Sequence, residues 1–289
     1  MPPAEVHVDT ELVRALLEVQ HPDLAGLPLR RVGSGWDNAI FRLGDDLAVR
    51  LPRRAAAAHL LEHERRWLPK LAERLPLAVS VPLRTGRPGP DFPWTWTISA
   101  WLPGDIAALR PPDDPSVAAS ELGAFLRALH RRAPSDAPRN PYRGTPLVER
   151  AAAFEHHLRQ LERTVDVDRA RAEWHAALDT PAAPGPPVWL HGDLHPANVL
   201  VHAGRVSAVI DFGDLTAGDR ATDLAVAWMM FGRAERERFR AAAGGVDDDT
   251  WTRARGWALC LALAYVANSA DNEVVARIGR STLEAVLAG

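Results

Sequence analysis

Between Pro187 and Asp214 the chain reads PVWLHGDLHPANVLVHAGRVSAVIDFGD. Its apolar runs are three to five residues long and are fenced by Gly, Asn, Asp and Pro. Runs that short, rich in Val, Leu and Ile and bounded by turn formers, make strands and not helices. Pro187–Leu190 is therefore a short strand and His191–Asn198 a polar loop. Val199–Val201 and Val206–Ile210 are a pair of strands joined across Ala203-Gly204. Asp211 emerges at the end of the second of these. The hairpin folds it back toward the loop that carries Asp193 and Asn198, so three oxygen-bearing side chains converge on one spot.

Around this stretch the hydrophobic period changes several times. Val6 to Gln20 is helical in pattern through Leu12, Leu16 and Leu17. LRRVGSGWDNAIFRLGDDLAVRLP then reads as three strands separated by a Gly turn and a Gly-Asp-Asp turn. Ala55 to Leu75 returns to helix, and WTWTISAWLPG alternates as a strand that ends in Pro103-Gly104. After the turn-rich RPPDDPS, Asp114 and Pro115 open a helix as cap and first residue. Helical segments follow at Val148–Leu161, Val167–Leu178, Ala221–Ala243 and Thr250 to the end. The expectation is an α+β chain in two lobes with a hinge at Ala100–Gly104. Residues 1–104 form a small, sheet-rich lobe with one long helix. Residues 105–289 form a larger, mostly helical lobe that carries the hairpin.

Composition narrows the function classes. With 47% hydrophobic and 25% charged residues the chain has ordinary globular proportions. A net charge of −3 offers no basic field for nucleic acid. The start, MPPAEVHVD, lacks the positive and apolar regions of a signal peptide. The longest apolar run, Trp257–Ala267, is too short to span a bilayer. The single cysteine, Cys260, forbids an internal disulfide and sits in that run as a core residue. A cytoplasmic protein without a membrane partner is expected. Lys70 is the sole lysine, so arginine is expected even where chemistry ordinarily uses lysine.

An H-x-D-x-x-x-x-N loop followed by a strand-end aspartate suits phosphoryl transfer. Magnesium takes oxygen ligands, usually one or two from protein and the rest from phosphate and water. Asn198 and Asp211 supply such ligands, and Asp193 orients the attacking hydroxyl and takes its proton. A second reading uses His191, Asp193 and His195, an H-x-D-x-H set able to hold zinc or iron in a hydrolase. It leaves Asn198 and Asp211 without a role. HGDLHPANVLV followed by VIDFGD resembles the catalytic and metal-binding motifs of the aminoglycoside phosphotransferases, relatives of the protein kinases that phosphorylate small molecules. The resemblance runs over essentially the full length. It implies a two-lobed, protein-kinase-like fold, ATP or GTP as phosphoryl donor with Mg²⁺, and a small-molecule acceptor bearing a hydroxyl.

The resemblance also assigns roles upstream and downstream. Gly33, Ser34 and Gly35 stand where a Gly-rich turn covers the phosphates. Arg50 in LAVRLP stands where protein kinases carry lysine, and Glu64, ahead of Glu62, is its expected partner. Ser99, Trp101 and Leu102 in ISAWLPG stand at the hinge, where backbone groups meet the base. His191 is expected to brace the catalytic loop. Asp219 and Asp223 of AGDRATDLA are expected to support it, with Arg220 where relatives often carry proline.

The acceptor is less constrained. A polycationic acceptor calls for carboxylates, and Asp271 and Glu273 of SADNEVV, the three aspartates of GVDDDT, and Asp214 are candidates, with His195 beside them. AVAWMMFG and WALCLALAYVA instead suit a bulkier, less charged molecule, and with VRLPRR they resemble the macrolide phosphotransferases. Choline, homoserine and sugar kinases share the fold. An aminoglycoside-like acceptor leads, with macrolide and metabolite acceptors as alternatives. A pseudokinase that only binds nucleotide is the non-catalytic alternative, encouraged by Arg50 alone. A monomer or homodimer is expected.

Overall fold

Asp9 decides where the first helix begins. Its carboxylate accepts from Leu12 N at 2.9 Å, so α1 spans Thr10–Gln20 and the helical pattern expected from Val6 starts four residues later. The computed structural model describes residues 3–34 and 37–288. Within Met1–Glu73 and Ala78–Pro103, one compact unit, α1 is followed by β1 (Leu29–Ser34), β2 (Asn38–Leu43) and β3 (Leu47–Pro52), an antiparallel meander. Next come α2 (Ala55–Ala72), the short β4 (Ala78–Val79), β5 (Pro82–Gly86) and β6 (Trp96–Ala100). The sheet order is β1-β2-β3-β6-β5. Phe41, Leu43, Val49, Leu51, Trp96 and Ile98 of the sheet share one core with Val13, Leu16 and Leu17 of α1. The alternation in WTWTIS suggests a strand with one wet face. Instead β6 lies between β3 and β5, and Thr97 and Ser99 are buried along with Trp96 and Ile98.

The second unit comprises Arg74–Leu77 and Gly104–Gly289. It runs β7 (Asp105–Ile106), α3 (Pro115–Leu129), α4 (Ala151–Gln160), α5 (Val167–Leu178), β8 (Val188–Leu190), β9 (Val199–His202), β10 (Arg205–Val209) and β11 (Thr216–Gly218). It ends with α6 (Ala221–Leu224), α7 (Val226–Met230), α8 (Arg233–Ala243), α9 (Asp248–Asn268) and α10 (Glu273–Leu287). Asp114 caps α3 by accepting from Ser116 N and Val117 N, with Pro115 in the first turn. β9 and β10 form an antiparallel hairpin pairing Val199 with Val209. Ala203 and Gly204 turn it with φ of 49° and 76°. β7 pairs with the other edge of β9, and β8 pairs with β11.

Two helices expected as continuous are broken. Ala221–Ala243 divides into α6, α7 and α8, the last starting after an extended Gly232. The stretch from Thr250 to the end divides at Ser269–Asn272, where the Asn272 side chain caps α10. Two aspartates of GVDDDT serve the fold: Asp247 caps α9 through Thr250 N at 2.7 Å, and Asp248 takes Arg240. Every residue of α9 from Gly256 to Leu263 is buried. This helix packs against α4, α5, α6 and α10 and is the core of the unit. Among the described residues, no helix is long and apolar enough to cross a membrane.

Candidate active site

β8 ends at Leu190 and delivers the loop His191–Asn198. The loop is hung from Asp223 of α6, a fully buried carboxylate. Asp223 accepts from His191 N at 2.9 Å and Gly192 N at 2.9 Å, and its Oδ2 also lies 3.0 Å from His130 Nε2 at the end of α3. His191 ties the loop to Ile210, the residue after β10. Its Nδ1 accepts from Asp193 N at 3.2 Å, so its Nε2–H donates to Ile210 O at 3.0 Å, which fixes the neutral tautomer. Gly192 has a φ of 88°, and a Cβ there would fall 2.3 Å from Asp214 O, so both conformation and space demand glycine. Asp219 holds the turn before α6, accepting from Ala221 N at 3.0 Å and from Arg253 Nε at 2.8 Å. Arg220 donates to the carbonyls of Ala243 and Gly244, a cross-tie that proline would not provide.

Hairpin register sets Asn198 beside the entry to Asp211, because Ile210 N donates to Asn198 O at 2.9 Å. Asn198 Nδ2 donates to Asp193 O at 2.9 Å, which turns Oδ1 the other way as a hard oxygen donor. Asp211 adopts the left-handed conformation, φ 63° and ψ 66°, a geometry that aspartate tolerates better than most residues. Asp193 Oδ1 accepts from Arg143 Nη2 at 2.9 Å and from the Tyr265 hydroxyl at 3.1 Å. Its Oδ2 lies 3.5 Å from His195 Nε2. Burial pushes the Asp193 carboxyl up, but the Arg143 guanidinium and then the His195 hydrogen bond outweigh it and hold the group well below the usual carboxylate range. Asp214 goes the other way. Burial first, then the Asp193 charge, push it up to about 6, against the pull of Arg143 and of Asn140, whose Nδ2 donates to it at 2.5 Å. His195 is buried in the wall of the site, accepting from Ala197 N at 3.2 Å and standing edge-on to Tyr265.

Arg143, Tyr265 and Asn140 are absent from the motif reading. Asn140 and Arg143 lie on a loop pinned at several points: Asn140 N donates to Thr216 Oγ1, Thr216 Oγ1 to Pro138 O, Gly144 N to Thr222 Oγ1, and Asp219 N to Gly144 O. The one available signal is the turn-rich RNPYRG, a Gly- and Pro-marked segment that carries a charge. Tyr265 is the polar tip inside an otherwise apolar run.

In the first unit Arg50 Nη1 donates to Glu64 Oε1 at 2.7 Å and Oε2 at 2.9 Å, and both side chains are buried. Glu62 pairs with Arg65 instead. Gly33 and Ser34 end β1 opposite Ile40 and Ala39, while Gly35 lies outside the described residues. Ser99 is buried and its hydroxyl accepts from Ser80 at 2.9 Å. Trp101 N donates to Asp46 O at 2.7 Å, so the backbone donor expected there for a base is engaged within the unit. Its ring carries the Arg42 guanidinium at 5.0 Å. Leu102 follows, half-buried. In the second unit Asp271 is exposed between α9 and α10, and Glu273 spends its charge on Arg280 of its own helix.

The zinc or iron reading is not assembled. Both ring nitrogens of His191 are engaged by backbone, and among the described residues no group of three or more His, Cys, Asp and Glu stands together as a metal cluster. A pair of hard oxygens, Asn198 and Asp211, fits a magnesium ion that takes its remaining ligands from phosphate and water.

Comparison with known proteins gives the family and the fold. A model of the phosphotransferase enzyme family matches residues 28–257. An aminoglycoside 3'-phosphotransferase of Streptomyces fradiae is 34% identical over 182 residues, 56% of this chain and 66% of that one, just under two thirds of its length. Among solved structures, the GDP complex of aminoglycoside 2'-phosphotransferase-IIIa superposes with a TM-score of 0.74 at 19% identity, covering 97% of this chain and 99% of that one. A macrolide 2'-phosphotransferase from Brachybacterium faecium gives a TM-score of 0.62 at 24% identity, covering 94% and 98%. Both likenesses show the fold.

Proposed function

Because this chain belongs to the phosphotransferase enzyme family, we propose that it moves the γ-phosphoryl group of ATP or GTP to a hydroxyl of an aminoglycoside-like acceptor. The observation that carries the reading is the loop-and-hairpin framework that presents the Asp193 carboxylate, the Asn198 amide oxygen and a left-handed Asp211 together. Asp193 accepts the proton of the acceptor hydroxyl as its oxygen attacks the γ-phosphorus, and the bond to the β-bridging oxygen breaks. Asn198 and Asp211 would hold Mg²⁺, which when bound neutralises charge on the β- and γ-phosphates. Arg50, held by Glu64, would neutralise phosphate charge from the first unit. Asp223 and His191 keep the loop in place.

The similar S. fradiae enzyme supports the acceptor class, as does Asp214, a carboxylate pushed up to about 6 that an ammonium group would return to its charged form. The apolar stretches that suggest a macrolide are helix core: Val226–Met229 and Gly256–Leu263 are buried. The test pairs Mg-ATP and Mg-GTP with kanamycin, gentamicin, streptomycin and a macrolide, and looks for a phosphorylated product by mass spectrometry. Asp193→Asn should lower turnover by about 10² or more while leaving nucleotide affinity nearly unchanged. Failure to phosphorylate any hydroxyl acceptor and to hydrolyse either nucleotide would overturn the reading.

A further inference from the structure

The donors around Asp193 divide unequally between its two oxygens. Oδ1 takes both Arg143 Nη2 at 2.9 Å and the Tyr265 hydroxyl at 3.1 Å. Among the described residues, Oδ2 has only His195 Nε2 nearby, at 3.5 Å. A carboxylate oxygen offers two lone-pair sites, so two donors fill Oδ1. We propose that Arg143 and Tyr265 form a two-pronged clamp that reserves Oδ2 of Asp193 for the attacking hydroxyl, with Arg143 a positioning residue of the phosphoryl transfer proposed above, on which this inference rests. In that step the hydroxyl proton passes to Oδ2, the hydroxyl oxygen bonds to the γ-phosphorus, and the nucleoside diphosphate leaves with the electron pair of the broken bond.

The clamp is separate from the devices that hold the loop. Asp223 and His191 already anchor it, through His191 N, Gly192 N, Asp193 N and Ile210 O. Arg143 hydrogen-bonds to the Asp193 carboxylate, and its charge also acts on Asp214, from a segment pinned to Thr216, Asp219 and Thr222, just beyond Asp211. The clamp and the metal-ligating turn therefore share one framework. Tyr265 comes from α9, which is buried from Gly256 to Leu263, so the second prong is equally fixed. A cation on Oδ1 makes Asp193 a weaker base. Phosphoryl transfer through a loose transition state depends on alignment more than on basicity, so the gain in orientation exceeds that loss.

Hydrolysis of the nucleotide by water uses the same base and needs no acceptor, so Mg-ATP and Mg-GTP hydrolysis is the probe. Arg143→Ala should lower kcat about 10- to 100-fold, with the nucleotide KM changed by less than about twofold. Added guanidinium ion should restore part of the rate to Arg143→Ala and none to the wild type, a response that a merely structural role would not give. Arg143→Lys should recover part of the loss. Tyr265→Phe should lose less, and the double variant should lose less than the product of the single losses, because both prongs act on one oxygen. A wild-type chain that transfers phosphoryl to neither water nor any acceptor overturns the kinase reading and this inference with it. An active wild type with Arg143→Ala unimpaired, faster, or refractory to guanidinium overturns the clamp alone. Where Arg143→Ala fails to fold, Tyr265→Phe decides, and a kcat equal to that of the wild type overturns the clamp.

Discussion

Arg50 and Glu64 lie 14 residues apart and are buried against each other, with exposures of 7% and 0%. Removing one partner of a buried pair strands the other charge, at a cost of about 3–5 kcal/mol, whereas replacing both with apolar groups is often neutral. Stability and ligand binding at this pair can therefore be separated. Arg50→Ala is expected to destabilise the fold and to weaken ATP far more than adenosine. The double replacement Arg50→Met with Glu64→Leu is expected to recover most of the stability and little of the ATP affinity, because the cation proposed for the phosphates is gone. Arg50→Lys should sit between, since its charge returns on a shorter arm that makes a single point contact. Denaturant melts combined with titration calorimetry of ATP and adenosine check this. Equal losses for the two ligands in the double variant would make Arg50 structural.

The loop and its hanger illustrate what a motif can and cannot disclose. Asp193, Asn198 and Asp211 were legible because strand pairing across one hairpin fixes their proximity, and turn formers mark that hairpin in the sequence. Arg143 and Tyr265 reach Asp193 from 50 and 72 residues away. No period or spacing records such contacts, which only tertiary packing creates. The same division holds for the elements. The start of α3 was legible through Asp114-Pro115, whereas the breaks at Gly232 and Asn272 interrupt patterns that read as continuous helix. The burial of both faces of β6 depends on neighbours that its own alternation does not encode. Asp223 is the element-scale test. Asp223→Asn keeps the shape but turns an amide N–H toward one of two backbone donors, His191 N and Gly192 N, inside the core. Leaving a buried donor unsatisfied costs about 1–3 kcal/mol, and the lost charge adds to it. The variant should show a lower denaturation midpoint and a kcat reduced more than nucleotide affinity. Wild-type kcat in a destabilised variant would mean that Asp223 supports the fold without placing the loop.

At the scale of the molecule, the cation proposed for the phosphates and the proposed base and metal ligands belong to different compact units: Arg50 and Glu64 to one, Asp193, Asn198 and Asp211 to the other. The chain as a whole carries a net charge of −3, so no overall field draws an anionic nucleotide, and on the proposed reading local cations and a metal would have to do so. Binding to the folded chain alone stabilises it by mass action, about 2.7 kcal/mol at a hundredfold excess over Kd. Each kcal/mol raises Tm by about 2–4 °C in domains of 150–250 residues. Mg²⁺ with ATP or GTP should therefore raise Tm by several degrees, while Mg²⁺ alone should do little, because two protein oxygens make a weak site until phosphate completes it. EDTA should remove the nucleotide's increment and added Mg²⁺ should restore it, with the nucleotide-free Tm unmoved by chelation. Asp211→Ala should abolish most of the increment. A chelator that lowers the Tm of the nucleotide-free chain would indicate a resident structural metal and would contradict the placement of Asn198 and Asp211 as a phosphate-dependent pair.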